Sequence, residues 1–135
     1  MSFLLELFPE AAVVVIMRHP VHVAASHLDQ PWAPSTLEGV LGWLEPVYRR
    51  WLAQRPGLLQ DRRYVEVKAE TLTANWPDSR RELFGRLGLP DADTVNTFAA
   101  SRLAARRGQL GDTEHAEVVS RLGWAAGELG YPARP

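Results

Sequence analysis

The residues VVVIMRHPVHVAASHL, Val13 to Leu28, constrain the fold more than any other stretch. Ala12 to Met17 is an apolar, mostly β-branched run without polar alternation, and it reads as a strand buried on both faces. The run stops at a charge, Arg18, and Pro20 follows two residues later. Proline suits the first position of a helix, where the N–H it lacks would have no intrahelical acceptor. A buried strand feeding a helix predicts an α/β layout, with the helix reaching about Leu28.

The rest of the chain extends that pattern. Phe3 to Phe8 reads as the end of a short helix stopped by Pro9. Gln30 to Ser35 is a loop, and Ser35 with Glu38 forms an S-x-x-E capping box for a long helix. Leu37, Val40, Leu41, Leu44, Val47, Tyr48, Trp51 and Leu52 keep helical spacing on one face. Pro46 should kink or split that helix, and the Arg55–Gly57 segment should end it. Tyr64 to Lys68 alternates as a second strand. A turn or short helix covers Glu70 to Asn75. Pro77 then opens a helix whose core face is Leu83, Phe84 and Leu87, closed by Gly88 and Pro90. Asp91 to Ala105 reads as partly helical, and Arg106 to Asp112 as a polar loop. A last helix, Thr113 to Leu129, turns in Val118, Val119, Leu122, Ala126 and Leu129 and is capped by Gly130. Two strands are few for an independent sheet. The first looks central, so further strands are expected upstream of Met1.

Composition narrows the class. A chain of 135 residues, 46% hydrophobic, suits one domain with a real core. A net charge of -1 gives no general pull toward nucleic acid or anionic membrane. No apolar run approaches the roughly 20 residues of a membrane span. Glu6, Pro9 and Glu10 interrupt the apolar N-terminus, which lacks the basic start of a signal peptide, so a cytoplasmic location is expected. The absence of cysteine excludes disulfides, thiolate nucleophiles and cysteine-based zinc sites. Lys68 is the only lysine among 15 basic residues. Arginine favours bidentate pairing with carboxylate or phosphate, although a genomic base-composition bias gives the same count.

Two places in the sequence suit an anion. Where a strand ends and a helix begins, open α/β sheets bind ligands, and the helix start offers N–H groups and a positive dipole end. Arg18 adds a full charge there and Ser26 a hydroxyl on the second turn, a set that fits a phosphate. The same residues also read as a surface ion pair and a serine chosen for its small size. The second place is Arg106, Arg107 and Gly108, followed by Gly111 and Asp112, which reads either as an anion-gripping loop or as a solvated turn. His19, His22 and His27 lie close in sequence, but no carboxylate repeats at helical spacing beside them. They read as surface or helix-end histidines rather than as metal ligands. Trp43, Tyr48, Trp51 and Trp76 read as core packing or, secondarily, as the lining of an acceptor pocket.

The segment LLELFPEAAVVVIMRHPVHVAASHL resembles half of the nucleotide site of sulfotransferases that use 3′-phosphoadenosine-5′-phosphosulfate (PAPS). In that family a strand ends in arginine, an Asp-Pro pair follows, and a serine stands eight residues after the arginine. Arg18, Pro20 and Ser26 match at that spacing. YVEVKAETLTANWPDSRRELFGRLGLP is similar to the family's later strand and the helix ending in Leu-Gly-Leu-Pro. RRGQLGD is similar to its C-terminal Arg-Lys-Gly-x-x-Gly-Asp loop. The resemblance implies a partial P-loop-type three-layer fold, mostly helical with few parallel strands. It implies 3′-phosphate contacts from Arg18, Ser26, Arg106, Arg107 and Gly108. The co-substrate would be PAPS, the nucleotide product 3′-phosphoadenosine-5′-phosphate (PAP), and the acceptor a small molecule bearing a hydroxyl or amine.

The departures are specific. His19 stands for the usual aspartate and Val21 for a frequent basic residue. Ala69 stands for a tyrosine near the adenine and Thr71 for an aspartate. The resemblance therefore carries no adenine contact. No glycine-rich 5′-phosphosulfate loop, with its lysine, precedes Arg18, and no catalytic base is identifiable. The expectation is one partial sulfotransferase domain over residues 1–135, the C-terminal portion of the enzyme and inactive alone. An unpaired sheet edge would invite homo-oligomers. The alternative is a non-catalytic nucleotide-binding or helical interaction module.

Overall fold

The computed structural model describes residues 2–91 and 110–132. In chain order the elements are α1 (Ser2–Leu7), β1 (Val13–Met17), α2 (Pro20–Leu28), α3 (Leu37–Leu58), β2 (Tyr64–Lys68), α4 (Ala69–Ala74), α5 (Trp76–Leu87) and α6 (Asp112–Glu128). The described chain is mostly helical with a two-stranded parallel sheet, an α/β arrangement. It divides into two compact units, Met1–Met17 with Gln54–Leu103 and Arg18–Ala53 with Ala104–Pro135. The predicted helical stretch Asp91–Ala105 and the Arg106–Gly108 site lie outside the described residues, apart from Asp91 itself.

In the first unit β1 and β2 run parallel, in register from Val13 opposite Tyr64 to Met17 opposite Lys68. Leu5, Met17, Leu58, Tyr64, Val65 and Leu72 form its core. The strand expected to be buried on both faces is covered on one only. Val14 is 37% and Ile16 56% exposed, while Met17 is buried. With two strands in the sheet, the described elements cover one side of β1, and side chains of period two split between covered and open faces. Among the described side chains of α1 only Leu5 is buried. The face of α5 behaves similarly: Leu83, Phe84 and Leu87 are half-buried, and the buried residue is Arg80, paired with Asp91 at 3.0 Å. Gly88 ends α5 at φ 67°, in the left-handed region that glycine adopts without strain.

Two arginines tie this unit together. Arg63 donates to the carbonyls of Leu5 (2.9 Å) and Pro9 (2.8 Å) and forks onto Asp61. That guanidinium holds the Asp61 carboxyl below the usual range. Arg55 donates to both carboxylate oxygens of Glu66 at 2.9–3.0 Å, and the Tyr64 hydroxyl donates to the same carboxylate at 2.7 Å.

The second unit packs α2 against α6. Alanines on both buried faces (Ala24 and Ala25, Ala125 and Ala126) leave little side chain to separate them, and Val118 and Leu122 fill the remainder. Val40, Leu41, Leu44 and Tyr48 supply the core face of α3, but Val47 is exposed. The α3 cap differs by one residue from the sequence reading. Thr36, not Ser35, caps the helix: its Oγ1 accepts from Gly39 N–H at 3.2 Å and its carbonyl from Val40 N–H at 3.0 Å. A Cβ at Gly39 would lie 2.7 Å from that of Pro34, so only glycine fits there. Pro46 does not split α3, and the helix continues past Arg55–Gly57 to Leu58. A proline's cost of about 3 kcal/mol is tolerated where the flanking turns bury four large side chains. Arg121 reaches Glu38 (2.9 Å) and Glu45 (3.1 Å), and Arg49 lies 4.7 Å over the Trp124 ring, fastening α6 to α3.

Candidate functional site

The α2 N-terminus is built as the proline predicts, with a cap of unexpected identity. His19 is the N-cap, 2% exposed, and its Nδ1 accepts the Val21 N–H at 3.2 Å. Its Nε2 lies 2.9 Å from the Pro132 carbonyl oxygen. A carbonyl only accepts, so Nε2 carries the proton and Nδ1 the lone pair. One neutral tautomer thus caps the helix and ties it to the segment after α6. Tyr131 stands edge-on to the His19 ring at 5.4 Å and His22 lies 5.6 Å away. The histidines expected at the surface are helix-end residues, but His19 and His22 are buried. Their rings fill the space between α2 and the end of α6, which sequence spacing does not reveal. Among the described residues no group of three or more histidine or acidic side chains is placed to hold a metal ion.

This arrangement revises how an anion meets the helix. Pro20 has no N–H. The Val21 N–H is taken by His19 Nδ1, and the N–H groups of His22 and Val23 donate to the His19 carbonyl at 2.9 and 3.1 Å. The free N–H groups expected at this terminus are therefore already bonded. What remains is the dipole and the two side chains that the sequence singles out. Arg18 and Ser26 are both half-buried and belong to the same unit. Ser26 follows His22 by one helical turn, about 9 Å along the axis from Pro20. A guanidinium and a hydroxyl are a donor set suited to a phosphate, which offers only acceptors. The other half of the expected set, Arg106, Arg107 and Gly108, lies outside the described residues. Of the C-terminal loop, Gly111 is the N-cap of α6 and its N–H donates to the Glu114 carboxylate at 2.9 Å.

The first unit holds a cleft of about 190 Å³ at the C-terminal end of β2, between α4 and α5. Glu66 and Lys68 from β2 and Glu82 and Arg86 from α5 line it, with Thr71 and Ser79. Two charges of each sign leave it without net pull on an anion. Sequence spacing gave no sign of this cleft, because its walls come from three elements. The aromatic set also divides: Tyr48 is buried, Trp51 and Trp76 are half-buried, and Trp43 is exposed. No helix is long and apolar enough to cross a membrane among the described residues.

No curated protein and no solved structure matches the chain. A family profile does: the sulfotransferase family matches residues 1–93. That match spans 93 of 135 residues and takes in β1, the His19 cap, Arg18 and Ser26. On that extent of agreement, the chain belongs to the sulfotransferase family.

Proposed function

We propose that Arg18 and Ser26 hold the 3′-phosphate of PAPS or PAP, so that the chain carries half of a nucleotide clamp for sulfuryl transfer to a hydroxyl or amine. The overall reaction joins the acceptor oxygen or nitrogen to sulfur, breaks the sulfur–oxygen bond to the 5′-phosphate, and releases PAP and a proton. Arg106, Arg107 and Gly108 would complete the phosphate contacts in a P-loop-type three-layer fold. The observation that carries this reading is the Arg18–Ser26 pair at eight-residue spacing inside the family match, Arg18 just before and Ser26 within a helix whose start is pinned by His19. The chain's part is positional. The guanidinium neutralises and orients the nucleotide, and the hydroxyl fixes one phosphate oxygen. No residue is assigned the role of base or of the lysine at the bridging oxygen, so we expect no turnover from the 135-residue chain.

The bonded N–H groups of the first turn favour one alternative, a helical interaction module in which Arg18 only makes an ion pair. One titration separates the readings. Adenosine 3′,5′-bisphosphate is titrated calorimetrically into wild type, Arg18→Ala and Ser26→Ala, each checked for folding by circular dichroism. Loss of a charged phosphate contact should weaken binding by about 30-fold for Arg18→Ala, and loss of a neutral donor by about 5-fold for Ser26→Ala. A folded wild type that does not bind, or an Arg18→Ala chain that binds unchanged, overturns the clamp.

A further inference from the structure

A second cleft, of about 400 Å³, opens in the first unit where the parallel strands β1 and β2 begin, whereas Arg18 follows the other end of β1. Its described walls come from three stretches: Pro9, Glu10 and Ala12 before β1, Arg62 and Arg63 before β2, and Gly85 to Gly88 at the end of α5. A volume of this order suits a small-molecule site. Arg63 is already engaged, with its donors on Asp61 and on the carbonyls of Leu5 and Pro9. Arg62 and Arg86 are exposed, and no hydrogen bond or ion pair engages either among the described residues. Asp61 cancels the charge of Arg63, and Glu10 cancels one of the other two. Unlike the balanced cleft beside α4, this one keeps a net positive charge and two guanidiniums with unused donors.

The rest of the lining is apolar and open. Pro9, Ala12 and the half-buried Leu87 supply it, and Gly85 adds no side chain. A Cβ at Gly85 would meet nothing within 4 Å, so the fold itself accepts alanine there. Glycine inside a helix is less stable than alanine. The space that Gly85 keeps clear therefore serves the cleft and not the packing of α5. Helix α5 ends here, and its negative dipole end opposes an anion. Two of its last carbonyls are already bonded, since Gly88 N–H donates to Gly85 and Leu89 N–H to Phe84, which lessens that opposition.

We infer that this cleft binds a small organic oxyanion, a phosphate or sulfate monoester, its charged head held by Arg62 and Arg86 and its apolar body lying against Pro9, Ala12, Gly85 and Leu87. Guanidinium forks match the oxygens of such a head, which only accept. A cleft of this width leaves most of its room beyond one tetrahedral group, and that room is lined by carbon, so the ligand carries a body as well as a charge. Phosphate and sulfate esters share this chemistry and differ in charge. The site is separate from the Arg18–Ser26 clamp and stands whether or not the clamp does.

The test follows the Leu87 and Gly88 amides of the whole chain in a nitrogen–proton correlation spectrum at low salt. Phenyl phosphate and phenyl sulfate are titrated separately. One or both should move these signals and leave that of Gly39 in the second unit, with dissociation constants in the millimolar range that suits so few atoms. The tighter of the two names the head. Inorganic phosphate, which lacks the body, and benzyl alcohol, which lacks the charge, should each bind about 10-fold more weakly. Arg62→Ala and Arg86→Ala should each weaken the ester by about 10-fold, and Glu10→Gln should tighten it by about 3-fold. Gly85→Ala should raise the urea midpoint by about 0.4 M yet weaken the ester by about 5-fold, a pairing that a purely structural glycine does not give. No shift with either ester, binding that persists in both arginine variants, inorganic phosphate that binds as well as the esters, or a Gly85→Ala chain that binds like wild type overturns the site. Arg18→Ala should bind the esters unchanged; loss there would place them in the clamp and refute a second site.

Discussion

Replacing His19 by alanine should destabilise the protein by about 3 kcal/mol, and three losses make up that figure. The Val21 N–H, in a buried residue, loses its acceptor, which costs about 1 kcal/mol on the scale of N-cap removal. The bond from Nε2–H to the Pro132 carbonyl is worth about 1 kcal/mol, and that carbonyl sits on an exposed residue where water can replace the donor. The ring itself is 2% exposed and packs against His22 and Tyr131, so its removal leaves a void costing about 1 kcal/mol more. Aspartate keeps a capping oxygen and places a negative charge at the positive end of the helix, so His19→Asp should cost roughly half as much. Urea unfolding followed by circular dichroism reads both. With a slope of about 2 kcal/mol/M, the alanine midpoint should fall by about 1.5 M and the aspartate midpoint by about half that. An alanine variant within 0.5 kcal/mol of wild type, on the same scale, would show that the ring does not pin α2. An aspartate variant as unstable as alanine would show that the cap is not the part that matters.

Two further outcomes follow from buried polar groups. The Glu66 side chain is 7% exposed and Arg55 is 24% exposed, so Arg55→Ala strands a covered carboxylate while Glu66→Gln strands a cation that water reaches. The first should cost about 3 kcal/mol and the second about 1 kcal/mol in urea unfolding, and equal losses would contradict the assignment. Burial pushes the Tyr48 hydroxyl above its ordinary value, so its folded pKa exceeds the unfolded one. The stability this brings is complete below about pH 10 and lost as pH rises beyond it. Tyr48→Phe should flatten the fall in unfolding midpoint between neutral pH and strong alkali; an unchanged fall would assign it to other groups.

The sequence made the element order legible because its signals are local. A β-branched run, a proline at a helix start and a glycine after a helix end each act within a turn of themselves, and β1, α2, β2 and the ends of α5 and α6 stand where those signals put them. What failed depended on partners far along the chain. Whether Val14 and Ile16 are covered is decided by what lies over the sheet, not by their own hydrophobicity. Pro46 sits inside an unbroken helix because tertiary burial outweighs a local penalty. Of the site, the Arg18–Ser26 spacing was readable. The role of His19 was not, since its second bond reaches Pro132, 113 positions away. The cleft beneath Arg62 and Arg86 was equally hidden, because its walls come from three separate stretches of chain.

The His19 cap also bears on the proposed phosphate site. Where the family resemblance leads one to expect aspartate, this chain supplies the same lone pair from a neutral ring. An aspartate would place a full negative charge at the helix terminus, beside the phosphate assigned to Arg18 and Ser26. Two unit charges about 7 Å apart interact by roughly 2 kcal/mol at an effective dielectric constant near 20. Arg18 opposes that repulsion with a single charge, and the first-turn N–H groups, already bonded within the helix, cannot add to it. His19→Asp should therefore weaken adenosine 3′,5′-bisphosphate binding by about 10-fold at low salt while leaving the chain folded. The deficit should shrink as salt rises toward physiological strength, where the screening length is about 8 Å. His19→Asn offers a control, since it can cap without charge and should bind like wild type. Asparagine and aspartate variants that bind alike would mean that the phosphate sits beyond the reach of the cap, and that the neutral histidine serves the fold alone.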